Sequence, residues 1–61
     1  MVLYIIKKRR KELGITQESL SRQVNITLIN FQQIENGEVL PNVKTALLIC
    51  KILNIDIRKV W

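Results

Sequence analysis

Between Thr16 and Gly37 the chain carries two short helical patterns separated by only three residues, Asn25-Ile26-Thr27, and this break constrains the fold more than any other feature. Gln17, Leu20, Ser21 and Val24 recur at the spacing of one helical face, with small Ser21 allowing another helix to approach closely. Beyond the break Phe31 and Ile34 repeat three apart, while Leu28, Ile29, Gln32 and Gln33 point away from that inner face. Asn25 stands where a helix end commonly demands positive φ, which Asn tolerates better than most residues. Ile26 anchors the turn to the core, and the Thr27 hydroxyl serves the next helix, an outside anion, or both.

The flanking sequence supplies what these two helices pack against. Val2 to Leu13 reads as a first helix with Leu3, Ile6, Arg10 and Leu13 on one face, closed by Gly14 in a left-handed conformation. Thr16 is an N-cap for the second helix, and Gln17 falls in its first turn, where free N–H groups favour an anion. Asn42 after Pro41 caps a fourth helix, for which Val43, Ala46, Leu47, Cys50 and Leu53 form the expected inner stripe. Asn54 is a second left-handed stop, and Asp56 caps a short final helix with Ile57 and Val60 inward. Arg10 is the exception among the charges, because its spacing turns it toward the apolar face. A guanidinium there needs a fixed acceptor, and Glu35 is the best-placed one.

Sixty-one residues are near the lower limit for one hydrophobic core, so a single domain over residues 1–61 is expected. An apolar fraction of 48% is enough for that core and leaves a surplus for a partner surface. Leu48, Ile55, Val60 and Trp61 are candidates for self-association, with the alternative that Trp61 folds over the base of the core. Ten basic against five acidic residues give a net charge of +5, half of the positive charge lying in Lys7 to Lys11, which suggests either a polyanionic partner or a solvated face. The single cysteine excludes an internal disulfide and fits a reducing cytosol, and Cys50 reads as a small buried hydrophobe. No apolar run is long enough for a bilayer, and no membrane partner or targeting segment is expected. Without histidine, a metal-ligand cluster, paired carboxylates or a glycine-rich phosphate loop, the chain is not read as an enzyme, and no metal, cofactor or small-molecule ligand is expected.

Gln17, Ser21, the Asn25-Ile26-Thr27 turn, Phe31, Ile34, Glu35-Asn36-Gly37 and Pro41, with Ile6 and Arg10 ahead of them, together resemble the Cro and phage-repressor (XRE) helix-turn-helix family. The resemblance covers nearly the whole chain. It implies an all-α, compact five-helix domain of bacterial or phage origin, cytoplasmic, with the helix-turn-helix at helices two and three. It further implies a transcriptional regulator, a repressor, that binds double-stranded operator DNA as a homodimer on a two-fold-related site. Carried over by position, Thr27, Leu28, Ile29, Gln32 and Gln33 would face the bases, Gln17 and Asn36 would contact the phosphate backbone, and Arg10 and Glu35 would form an internal pair. Departures are informative. Relatives often have polar residues where Leu28 and Ile29 stand, and a basic one within Glu38-Val39-Leu40, which leaves Lys44 as the nearby phosphate contact. Leu28 and Ile29 would meet thymine methyl groups, or else pack on protein; in the second case the chain is an interaction module, an adaptor or antitoxin-like subunit, without base reading.

Overall fold

The computed structural model describes residues 3–61. Its order is α1 (Tyr4–Glu12), α2 (Gln17–Gln23), α3 (Leu28–Glu35), α4 (Val43–Leu53) and a 3-10 turn (Ile57–Lys59), with no strand among the described residues. The fifth helix expected from the sequence is therefore a single 3-10 turn. In this turn Lys59 N–H donates to the Asp56 carbonyl and Val60 N–H to the Ile57 carbonyl, both three residues back, and Trp61 N–H shares the Ile57 carbonyl. Val2, expected to begin the first helix, lies outside the described residues.

The elements begin and end by local chemistry. Thr16, Thr27 and Asn42 each accept a hydrogen bond from the backbone N–H three residues on, and Asp56 accepts one from Arg58. All four α-helices stop in the same way. Gly14, Asn25, Gly37 and Asn54 take positive φ, and each helix closes with a pair of reverse hydrogen bonds around that residue. Three of these stops are followed by isoleucine, Ile15, Ile26 and Ile55, which turns back and packs against the core. At Gly37 the backbone asks for glycine, since φ is +80°; a Cβ would also stand 2.9 Å from Leu3 Cδ1, a contact the end of the Leu3 side chain can relieve by shifting.

Ile6, Leu20, Val24, Phe31, Ile34, Ile49, Cys50, Leu53 and Val60 form the buried cluster. The helices that meet around it are α2 with α3, α1 with α3 and α4, and α4 with the 3-10 turn. The Leu20, Ser21 and Val24 face of α2 and the Phe31 and Ile34 face of α3 are inward as their spacing requires. In α4 the stripe is rotated from expectation. Ala46, Ile49, Cys50 and Leu53 are buried, whereas Val43 and Leu47 are 73% and 51% exposed. Residues 46–50 are all apolar, so their periodicity does not single out a face; the docking of α4 on α1 chooses it. Leu13 is also exposed rather than inward, since α1 ends at Glu12 and Ile15, after the Gly14 turn, takes the place against the core.

The expected self-association set is corrected in part. Val60 is 1% exposed and belongs to the core, carried there by the 3-10 turn, so it is not available to a partner. Leu48, Ile55 and Trp61 are half-buried and pack against the same core, Ile55 because it follows the left-handed Asn54 stop. The apolar side chains that stand free on this side are Leu40, Val43 and Leu47. Leu40, Pro41, Val43, Ala46, Ile57 and Trp61 line a shallow apolar recess of about 220 Å³.

Candidate nucleic-acid interface

Because α3 is pinned from inside by Phe31 and Ile34, its remaining positions are fixed in orientation. Ile29 is 68% and Leu28 38% exposed at the outer start of α3, with Thr27 exposed as its N-cap. Thr27 Oγ1 accepts from Asn30 N–H at 3.0 Å, which leaves the hydroxyl proton for an outside acceptor. Gln32 and Gln33 are half-buried on the following turn. Asn36 is exposed, but its own N–H is taken by the Gln32 carbonyl, so only its side chain is free. Lys44 is exposed beside a groove of about 340 Å³ lined by Asn25, Ile26, Asn42 and Thr45 among others, where the turn meets the start of α4.

Behind this face lies a polar junction. Arg10 Nε donates to Glu35 Oε2 at 3.0 Å and Arg10 Nη2 to Oε1 at 3.1 Å, a bidentate pair shielded from water. Arg10 Nη1 also donates to the Ile15 carbonyl at 2.9 Å, tying the pair to the α1–α2 loop. Gln17 extends the network rather than standing free. Its Nε2 donates to Glu35 Oε1 at 3.1 Å, and its Oε1 accepts from Gln32 Nε2 at 3.2 Å. One N–H of the Gln17 amide has no partner among the described residues. The sequence pattern pointed to Arg10 with Glu35 but not to the two glutamines, because contacts from α2 to α3 depend on the crossing angle and no spacing rule encodes it.

The ion pairs also distribute the charge. Every arginine is engaged: Arg9 with Glu12, Arg10 with Glu35, Arg22 with Glu18 and Arg58 with Asp56. Arg9 further donates to the Leu53 carbonyl at 2.9 Å, capping the end of α4. None of the six lysines joins an ion pair among the described residues, so Lys7, Lys8, Lys11, Lys44, Lys51 and Lys59 carry the net charge. Hydrogen bonds from the Arg58 side chain and then from its backbone N–H hold the Asp56 carboxyl down from 3.8 to about 2. Burial, and secondarily Asp56, pushes the Cys50 thiol up. No group of His, Cys, Asp and Glu residues able to hold a metal occurs among the described residues. No helix there is long and apolar enough to cross a membrane.

Comparison with known proteins agrees with this arrangement. A family model described as "Helix-turn-helix" matches residues 6–60. The chain is 32% identical over 53 residues to the ImmF control region 10 kDa protein of Bacillus phage phi105, a match covering 87% of this chain and 59% of that protein. It is also 32% identical over 56 residues to the uncharacterized HTH-type transcriptional regulator YgzD of Bacillus subtilis (strain 168), covering 92% and 85% of the two chains. The nuclear magnetic resonance structure of the DNA-binding domain of the P22 C2 repressor superposes with a TM-score of 0.85 at 28% identity, covering 98% of this chain and 80% of that one. By its sequence match over residues 6–60, its all-helical fold and the geometry of α2 and α3, the chain belongs to the XRE-type helix-turn-helix family of DNA-binding transcriptional regulators.

Proposed function

We propose that this chain is the DNA-binding domain of a repressor that occupies a two-fold-related operator as a homodimer, with α3 in the major groove. The observation that carries the reading is the outer face of α3, where Thr27, Leu28, Ile29 and Gln33 are left to the outside by a helix whose inner face is locked. Because α3 carries no arginine, this helix offers no guanidinium fork for guanine. Gln33 instead offers an amide that donates to adenine N7 and accepts from N6–H₂, while Leu28 and Ile29 meet thymine methyl groups. Gln17, Asn36 and Lys44 hold phosphates and set the register, and the lysines supply the salt-dependent attraction. One such domain spans only a few base pairs, so useful affinity calls for two copies with their α3 helices about one DNA turn apart. The names of the P22 C2 repressor and of the relatives from a Bacillus phage and Bacillus subtilis support a regulator of phage or bacterial origin, acting in the cytoplasm.

A fluorescence-anisotropy titration against random and selected duplexes tests this reading. Binding should weaken steeply with salt. Gln33→Ala should reduce preference at one base pair by about 1–3 kcal/mol, and equal losses on specific and random DNA would make Gln33 a phosphate or structural residue instead. The exposed Leu28, Ile29, Leu40 and Val43 favour a second reading, a protein-interaction module that keeps the fold without base reading. Absence of duplex binding at low salt selects that alternative.

A further inference from the structure

From the apolar start of α3 on a molecule whose free charge is positive, and with α3 in the major groove as proposed above, we infer that Leu28 and Ile29 recognise the C5-methyl group of pyrimidines. The protein then reads 5-methylcytosine as it reads thymine, and its hold on an operator responds to cytosine methylation. Six lysines carry the net charge with no carboxylate partner among the described residues, which favours a polyanion as occupant of the exposed face. Leu28 and Ile29 open α3 and stand exposed, while Phe31 and Ile34 hold the helix from inside. The base edges in the major groove of a duplex are hydrogen-bonding groups, with the thymine methyl as the apolar exception. An aliphatic side chain that displaces water from a polar edge leaves that edge unpaired, whereas against a methyl group only apolar surface leaves water. The two side chains therefore favour methyl-bearing positions and disfavour bare ones.

Neither Leu28 nor Ile29 has a donor or an acceptor, so neither can tell what stands beside the methyl on the ring. Thymine carries O4 there and 5-methylcytosine an N4–H₂, while the methyl occupies the same ring carbon in both. The neighbouring Thr27 does not break this equivalence. Its Oγ1 accepts from Asn30 N–H and keeps one lone pair and its proton, so it can serve O4 or N4–H₂. Uracil and unmodified cytosine lack the methyl and are read poorly alike. Consecutive positions stand about 100° apart around a helix, so the two side chains address different bases and a half-site holds up to two such positions. An enzyme that methylates cytosine C5 at one of them would tighten binding to that operator.

The test starts from duplexes that the chain selects out of a random pool and follows their affinity by fluorescence anisotropy at fixed salt after changes of one base in one half-site. Uracil in place of thymine removes a methyl group and leaves the pairing intact. At the same positions, 5-methylcytosine compared with cytosine adds one. In wild type, uracil should weaken binding about fourfold at one or two positions, the worth of one buried carbon group each, and 5-methylcytosine should gain a similar factor over cytosine there. Leu28→Ala and Ile29→Ala, at exposed positions that leave the core untouched, should each bring one of these ratios close to one without moving the unfolding midpoint. Ratios near one at every position in wild type overturn the methyl reading while leaving operator binding standing. So does a preference for thymine over uracil without one for 5-methylcytosine over cytosine, or a set of ratios that persists in the double variant and so reports DNA shape. A wild type that binds no duplex at low salt removes the proposed function and the methyl reading together, and assigns the two side chains to a protein partner.

Discussion

Where α1, α2 and α3 meet, the buried contacts are directional: Arg10, Glu35, Gln17 and Gln32 are joined by hydrogen bonds that work in only one arrangement of donors and acceptors. Where α4 and the tail close the other side, the contacts are apolar, through Ile49, Cys50, Leu53, Val60 and half-buried Trp61. The first region fixes angle and register: misplacing Arg10 leaves the Glu35 charge buried and unpaired, and misplacing either half-buried glutamine loses a hydrogen bond between helices. The second contributes burial, which depends on volume more than on direction. The directional region backs the face proposed to meet DNA, and the apolar region supports it from behind.

Arg10→Met gives the largest contrast. Removing one partner of the shielded pair should cost about 3–5 kcal/mol in urea unfolding, and adding Glu35→Leu should restore much of it. An unchanged unfolding midpoint for the single variant would end the claim that this junction is directional. Thr27→Ala comes next, with a loss of about 1 kcal/mol from the freed Asn30 N–H. On the apolar side Ile49→Val should cost about 0.5–1.5 kcal/mol. Leu47→Ala, on the exposed face of the same helix, should stay within about 0.5 kcal/mol, and the reverse order would restore the stripe first read from the sequence. The smallest effect is that of acid on the tail. The folded pKa of Asp56 is depressed, so its contribution is fully present above 3.8 and is lost as pH falls toward about 2. Asp56→Asn should remove that part of the acid sensitivity, read from Trp61 fluorescence against pH.

The sequence was most legible where structure is local. Thr16, Thr27, Asn42 and Asp56 as caps, and Gly14, Asn25 and Asn54 as left-handed stops, depend on a few neighbouring atoms and stand as read. Arg10 with Glu35 was legible because an arginine on an apolar stripe requires an acceptor. The inner face of α4 was not, since Ala46 to Cys50 offer apolar side chains in every direction. Val60 was read both as inward in the last helix and as a self-association candidate, and its burial agrees with the first reading and excludes the second. For the proposed interface the sequence identifies which side chains are presented, whereas the tie from Gln17 to Gln32 appears only once α2 and α3 are set at their angle.

Cys50 sits where α4 closes the apolar side, buried and with its thiol pushed up by that burial. Thiolate is the reactive form, so labelling reagents can reach and modify it only while α4 stands away from the rest of the chain. The molecule therefore carries its own stopwatch: the labelling rate in native buffer measures how often the back of the domain opens. Its dependence on denaturant tells whether α4 leaves alone or the whole chain lets go at once.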